Sequence, residues 1–304
     1  MAIVTNKVDC TTSASGTWFD GCEVIMGEIV KPILLHPSIK LDIVSDNFDN
    51  AKALDLQKKG LLKPLNGLRE AKGNDVKNNY QTFANKTRRL VSKGIVALMF
   101  EFDATECFIK ALANLTKKRW SIAFLDVEGK LFLDYKNGKV QGFETSLIEI
   151  DTQTIADGGS KTSMVTLEVE LTSDASNGFR ERKRFVNSTE LFDIYSLKGV
   201  QDVQVVVVSS TAANFTVKVV SGCDQTTPVT TLSTANFKLV DAVTGLTIVA
   251  VATHQGAGLY KFTGATVVPG AVTVQLYDSV ANVAIADVLG VELYQSNVAT
   301  ALLT

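Results

Sequence analysis

The sequence predicts a mainly β protein. Its first domain, residues 1–200, is α+β, an antiparallel β-sandwich with one packed helix; residues 201–304 form a second β-sandwich. Three observations predict it. A single amphipathic helical stretch at residues 103–119 is followed by strand-like runs broken at turn dipeptides. The run Met164 to Thr172 alternates strictly, with Val165, Leu167, Val169 and Leu171 on one face and Thr166, Glu168 and Glu170 on the other, the period of a half-buried strand. Composition then shifts sharply: residues 1–200 hold 27 Lys+Arg and 26 Asp+Glu, whereas residues 201–304 hold 3 and 6 and no arginine.

Taken in order, the chain opens with a Thr/Ser/Gly-rich loop, Thr11 to Gly16, followed by Trp18 and Phe19, a pair that could be a ligand platform but more often anchors such a loop on its own domain or on a neighbouring subunit. Two β-like runs follow, Glu23 to Leu35 and Ile39 to Val44, divided at His36-Pro37. Asn47 to Lys59 reads as a short helix stopped by Gly60, and Leu61 to Tyr80, with Pro64, Gly67 and Gly73, reads as irregular. Residues 46–93 are therefore expected to be a long loop, of the kind that serves function or stays disordered. Ile95 to Phe102 is apolar on both faces, as a buried central strand is.

The helix expected over residues 103–119 starts at Asp103, with Glu106 three residues on as a capping box. It carries an apolar stripe at Phe108, Ala111, Leu112 and Leu115 and ends in Lys117, Lys118 and Arg119, which suit a helix C-terminus. Strand runs follow at Trp120 to Asp126, Lys130 to Tyr135 and Val140 to Ile150, with turns at Glu128-Gly129 and Asn137-Gly138. The second dipeptide is a strong two-residue hairpin signal. Beyond a turn cluster at Ser173 to Gly178, the mixed run Arg180 to Arg184 reads as an exposed strand or helix face.

The last hundred residues contain about seven short runs: Val203 to Val208, Phe215 to Val220, Phe237 to Val240, Thr247 to Ala252, Leu259 to Phe262, Val272 to Tyr277 and Val291 to Tyr294. Turn signals at Asp241 to Gly245, Gly256-Ala257-Gly258 and Pro269-Gly270 separate them. That density of short strands fits an immunoglobulin-like sandwich without its disulfide.

The bulk properties exclude several function classes. A net charge of −2 and a pI near 5.8 give no global attraction to nucleic acid or anionic lipid. No apolar run is long enough to span a bilayer, which takes ~20 residues, and the first residues lack the apolar core of a secretory signal, so folding in a cytosol is expected. Cys10, Cys22, Cys107 and Cys223 lie at no metal-site spacing. Cys10 and Cys22 flank a short loop and could pair or join a metal site, but no nearby Cys or His completes one. Free or half-buried thiols are expected, with Cys107 in the core beside the helix stripe.

A nucleophilic triad needs a base, and the two histidines, His36 and His254, fall in separate domains at loop-like positions. Neither a phosphate-binding P-loop nor a dinucleotide fingerprint is present. Gly256-Ala257-Gly258 precedes a strand and serves turn geometry, and Asp157-Gly158-Gly159-Ser160 reads as a linker. Asp134, Glu149, Glu168 and Glu170 could approach one another on a sheet face, the raw material of glycoside hydrolysis, but they also fit the outward positions of a half-exposed sheet. Lys86, Arg88 and Arg89 form a small basic patch without aromatics, read as a solvated face. The expectation is a non-catalytic protein with no catalytic, metal or cofactor-binding residue.

The helix Asp103 to Arg119, the strands Trp120 to Ile150 and Met164 to Thr172 together resemble the major tail (tail tube) proteins of long-tailed bacteriophages, relatives of the type VI secretion tube. The stretch Ala235 to Asp241 with Gly258 to Phe262 is similar to immunoglobulin-like modules appended to phage virion proteins. The resemblance implies a virion protein made in the host bacterial cytoplasm. Its partners would be copies of itself in a ring or tube, other virion proteins, and DNA passing through without sequence recognition; a membrane is not among them. It implies that sheet edges join neighbouring subunits and that residues 46–93 reach an adjacent one. The module attached at Gly199 to Asp202 would project outward and bind host-surface glycan. A head–tail ring, a capsid-associated or decoration protein, and a virion adhesin are the alternatives it leaves.

Overall fold

The computed structural model describes residues 26–43, 45–74, 79–84, 86–92, 94–103, 105–154, 163–187, 193–211, 214–223, 225–263, 270–290 and 292–303. The loop with Trp18 and Phe19, Cys10, Cys22 and Asp157 to Ser160 lie outside them. The chain divides into two compact units, Met1–Leu197 and Lys198–Thr304. Both are built mainly of antiparallel strands.

In the first unit the elements run β1 (Ile29–Leu35), β2 (Lys40–Asp42), α1 (Asn50–Lys58), β3 (Leu62–Pro64), β4 (Leu68–Asn74), β5 (Asn79–Thr82), β6 (Arg88–Ser92), β7 (Ala97–Asp103) and α2 (Glu106–Leu115). They continue with β8 (Ser121–Asp126), β9 (Lys130–Lys136), β10 (Lys139–Gln141), β11 (Phe143–Thr154), β12 (Met164–Leu171), α3 (Ser173–Asn177) and β13 (Lys183–Asn187). Hydrogen bonding follows the path β2-β10-β9-β8-β11-β12-β7-β4, with β1 beside β8, β3 beside β1 and β13 beside β9. Strand β11 joins two layers: Phe143 and Glu144 pair with β8, and the rest runs along β12.

The layers close on an aromatic core. Leu34, Ile122, Phe124 and Phe132 from one meet Phe100, Phe102, Val165, Leu167 and Val169 from the other. All four inward residues of β12 are fully buried, and side chains of this kind each stabilise the fold by ~1.5–3 kcal/mol. The other face of β1 and β8 is covered too: Ile33, Leu35, Ala123 and Leu125 pack with Ala53 and Leu56 of α1 and with Ile194 and Leu197. Strand β8 is therefore buried along its whole length.

Several boundaries differ from the sequence expectation. Helix α2 begins at Glu106, because Thr105, not Asp103, is its N-cap and accepts from the Phe108 amide at 3.2 Å. Asp103 ends β7 and pairs with Arg69. The stripe that packs on the core is Phe108, Ile109, Leu112 and Leu115, of which Leu112 is fully buried and the others half-buried, while Ala111 is exposed; Lys117 to Arg119 lie past the end. Residues 46–93 are not a long loop. Helix α1, capped by Asp49 and ended before Gly60 at φ +68°, leads into β3, β4 and the β5–β6 pair. Strand β4 is polar, so no alternation marks it; its backbone is recruited by β7, against which it pairs from Leu68 to Asn74. The Arg180 to Arg184 run is divided between a π-helical turn at Gly178–Arg182 and β13. Cys107 and Cys223 are disulfide-bonded, so neither is a free thiol.

The unit ends on a buried lysine. Lys31, 6 % exposed, donates to the carbonyls of Tyr195 and of Leu197, the latter at 3.1 Å. Burial lowers its pKa to about 8, against the pull of Asp193.

The second unit comprises β14 (Val200–Ser210), β15 (Phe215–Ser221), β16 (Phe237–Asp241), β17 (Thr247–Ile248), β18 (Val251–His254), β19 (Leu259–Thr263), β20 (Gly270–Leu276), β21 (Ala286–Val288), β22 (Glu292–Ser296) and β23 (Ala299–Leu303). One sheet has the order β18-β19-β15-β14-β22-β21 and the other β17-β16-β20-β23. The pair β14–β22 is parallel. Val205, Val217, Phe215 and Phe262 of the first sheet pack on Leu239, Val272, Val274 and Ala301 of the second. Phe215 and Phe262 stack at 4.7 Å between ring centroids, and Phe237 meets Phe262 edge-on at 5.1 Å.

Candidate functional site

Three features of the first unit bear on what it can contact. The first is the hairpin β5–β6. Its strands pair from Asn79↔Ser92 to Thr82↔Arg88 and form a two-stranded sheet of their own. The turn is closed by the Phe83 amide on Thr87 O at 2.9 Å and the Lys86 amide on Phe83 O at 2.8 Å, with Lys86 at φ 65°. Phe83, Lys86, Arg88 and Arg89 are all exposed. Among the described residues the hairpin joins no larger sheet, and a two-stranded hairpin on its own is marginal in water at best.

The second is a set of open strand edges. Among the described residues β4 pairs only with β7, β13 only with β9, and β2 only with β10. Open edges are unpaired backbone donors and acceptors, a template for another chain.

The third is an acidic sheet face. Because β12 turns its apolar residues inward, Glu168 and Glu170 point the other way, and Glu149 of β11 stands directly across from Glu168. On the same face Glu101 of β7 lies opposite Glu70 of β4. Lys72 bridges those two, at 2.7 Å to Glu101 and 2.9 Å to Glu70, and these hydrogen bonds hold its ammonium above the usual lysine range. Among the described residues no Lys or Arg bridges Glu149, Glu168 or Glu170 in this way.

Asp134, grouped with them by sequence, is elsewhere. It is 1 % exposed, against Gly178, and Arg182 approaches it at 3.3 and 3.4 Å. Burial raises its pKa, opposed by the hydrogen bond and charge of Arg182. Arg182 also reaches Asp174 at 3.3 Å. This is a buried ion pair that fastens the Gly178–Arg182 turn to β9. The spacing of 48 residues between the partners hides it from the sequence.

His36 hydrogen-bonds Ser38 Oγ at 2.7 Å and meets Trp120 edge-on; His254 lies against Tyr260 at 5.0 Å. They belong to different units. Gly256, Ala257 and Gly258 all have positive φ, as their turn requires. Among the described residues no three His, Cys, Asp or Glu side chains gather as a metal site, and no helix is long and apolar enough to cross a membrane.

No family model matches the chain, and no curated protein matches it in sequence. Among solved structures it is similar, at 13% identity and a TM-score of 0.23, to the SPP1 Dit (gp 19.1) protein, described as a paradigm of the hub adsorption apparatus in phages that infect Gram-positive hosts; the match covers 77% of this chain and 88% of that one.

Proposed function

We propose that the chain is a non-catalytic structural protein of a bacteriophage virion, which assembles with copies of itself into a ring or tube of the tail through which DNA passes. The observation that carries this reading is the β5–β6 hairpin, which among the described residues pairs with no other strand and leaves Phe83, Lys86, Arg88 and Arg89 exposed. Docked on a neighbouring copy, it gains the packing that a lone two-stranded hairpin needs. The open edges of β4, β13 and β2 support the same reading, since edges paired between subunits cease to be a liability. The phage assignment comes from the resemblance of the helix and strands over residues 103–172 to the tail tube family.

The acidic face supports the DNA part. A wall carrying Glu149, Glu168 and Glu170 without counter-cations repels phosphates, so a duplex slides past without the counterion-release binding that lysines would give.

The second unit reads as an immunoglobulin-type module. Taking β14, β15, β16, β18, β19, β20 and β23 as strands A to G reproduces the ABED and CFG partition of that fold. Its apolar loop residues Val243, Leu246 and Val249 are each at least 68 % exposed, which favours a second reading, a contact role at the host surface or on another virion protein.

Negative-stain electron microscopy of the purified chain, with light-scattering mass on the same sample, tests the assembly. Rings or tubes of uniform width are expected, and their symmetry separates a tube from a head–tail ring. A monomer that stays monomeric at high concentration overturns the reading in favour of a decoration protein or an adhesin. Binding on a glycan array would then select the adhesin.

A further inference from the structure

The cleft between the β9–β10 hairpin and β2 has a volume of about 350 Å³ and is rimmed by Lys40, Lys136 and Lys139. That is the lower end of the ~300–1,000 Å³ of small-ligand sites. Lys136 and Lys139 stand opposite each other across the Asn137-Gly138 turn, a like-charge cross-strand pair that costs stability unless something neutralises it. Asp174 takes part of the charge of Lys136, at 3.0 Å. Lys40 and Lys139 have no carboxylate partner among the described residues.

The acids nearby are already engaged. Glu144, on the wall, pairs with Arg119. Asp42, opposite Lys139, accepts from the Ser45 amide at 3.3 Å. Amides complete the rim: Asn137, and Gln141 opposite Lys40. At the floor Gly142 lies so close to Ser121 that a side chain there would meet Ser121 Cβ at 2.9 Å. The Ser121 hydroxyl donates to Leu35 O at 2.9 Å, which leaves its oxygen free to accept rather than to bind an anion. Lys40, Lys136 and Lys139 thus rim the cleft with Asn137 and Gln141, and its one lining carboxylate, Glu144, is paired with Arg119.

We propose that this cleft is an oxyanion site, in which Lys40, Lys139 and the Asn137 amide take a carboxylate or phosphate group. The group comes either from a free anion or from an acidic side chain of a second copy of this chain. The site does not depend on the assembly reading, and a monomer that binds anions would overturn that reading alone.

The test is calorimetric titration of the full chain at low ionic strength with inorganic phosphate and with glutarate as the carboxylate probe. One saturable site of millimolar affinity is expected for each. In Lys40→Gln/Lys139→Gln the affinity falls roughly tenfold or more, whereas Lys117→Gln/Lys118→Gln, exposed lysines outside the cleft, leaves it unchanged. No saturable binding of either anion, or equal loss in both variants, overturns the proposal. Light-scattering mass at saturating phosphate then assigns the source. A fall in mass identifies a neighbouring copy's carboxylate as the natural occupant, and an unchanged mass identifies a free anion.

Discussion

Glu149 and Glu168 stand directly opposite each other on adjacent antiparallel strands, with no lysine or arginine between them among the described residues. Like charges in that position cost a few tenths of a kcal/mol to about 1 kcal/mol, and the acidic face is retained despite it. Glu168→Thr should stabilise the chain by ~0.5 kcal/mol, a rise in Tm of about 1–2 °C for a domain this size, measured by thermal melting. The double change Glu149→Lys/Glu168→Lys should create duplex binding at low salt that the parent lacks. A gel-shift titration that shows no difference would remove the face from any role in DNA passage.

The buried pair Asp134–Arg182 makes a pH-resolved prediction. Burial raises the folded pKa of Asp134 above the ordinary aspartate value of 3.8. The stabilisation from its protonated form is therefore complete below that value and is lost as pH rises through the folded pKa. Arg182→Met, which strands the carboxylate, should cost ~3 kcal/mol at pH 7, the low end for a broken buried pair because Arg182 is 32 % exposed. The cost should shrink near pH 3, where the carboxyl is neutral. Denaturant midpoints at the two pH values check it.

Lys31 titrates in the opposite sense. Its folded pKa of about 8 lies below the ordinary lysine value of 10.5, so its contribution to stability rises between those values and is lost as pH falls through about 8. The full span corresponds to about 3 kcal/mol at ~1.36 kcal/mol per pKa unit. Lys31→Met should abolish this part of the alkaline slope, seen as a wild-type minus variant difference that grows from pH 7.5 to pH 10. A constant difference would mean that the amine titrates as an exposed lysine does.

Much of the fold is legible locally. The alternation of Val165, Leu167, Val169 and Leu171 matches four fully buried positions, and Asn137-Gly138 adopts positive φ at both residues, as a tight hairpin turn demands. What is missed depends on partners distant in sequence. Strand β4 is made a strand by β7, not by Arg69, Glu70 or Lys72. Strand β23, with its short Ala-Thr-Ala-Leu-Leu run, is set by β20. The Thr105 cap takes over from Asp103 because Asp103 is already paired within β7. The acidic face was half visible: Glu168 and Glu170 are readable as outward, but the register that sets Glu149 against Glu168, and the removal of Asp134 to a buried pair, are tertiary facts.

If the proposed assembly holds, a chain ended at Leu197 should still form particles, because the first unit contains the hairpin, the open edges and the acidic face. Particle yield by electron microscopy checks this. Loss of particles would make the second unit a structural partner and not an appendage.

Cys107 and Cys223 should resist alkylation in the denatured, unreduced chain and react only after reduction. Peptide mass mapping reads both sites. Labelling of either before reduction would show that its bond does not form in the isolated protein.

The self-paired hairpin has a kinetic consequence. A segment that folds only on docking must be ordered during the encounter, which slows productive capture. Under the proposed assembly the β5–β6 strands pair within their own chain, so docking has only to pack a hairpin whose partner strand is already at hand, and joining would be governed by collision and orientation. Growth should then show a rate proportional to subunit concentration and only a weak dependence on temperature, with the slow step lying in the closure of the first complete ring.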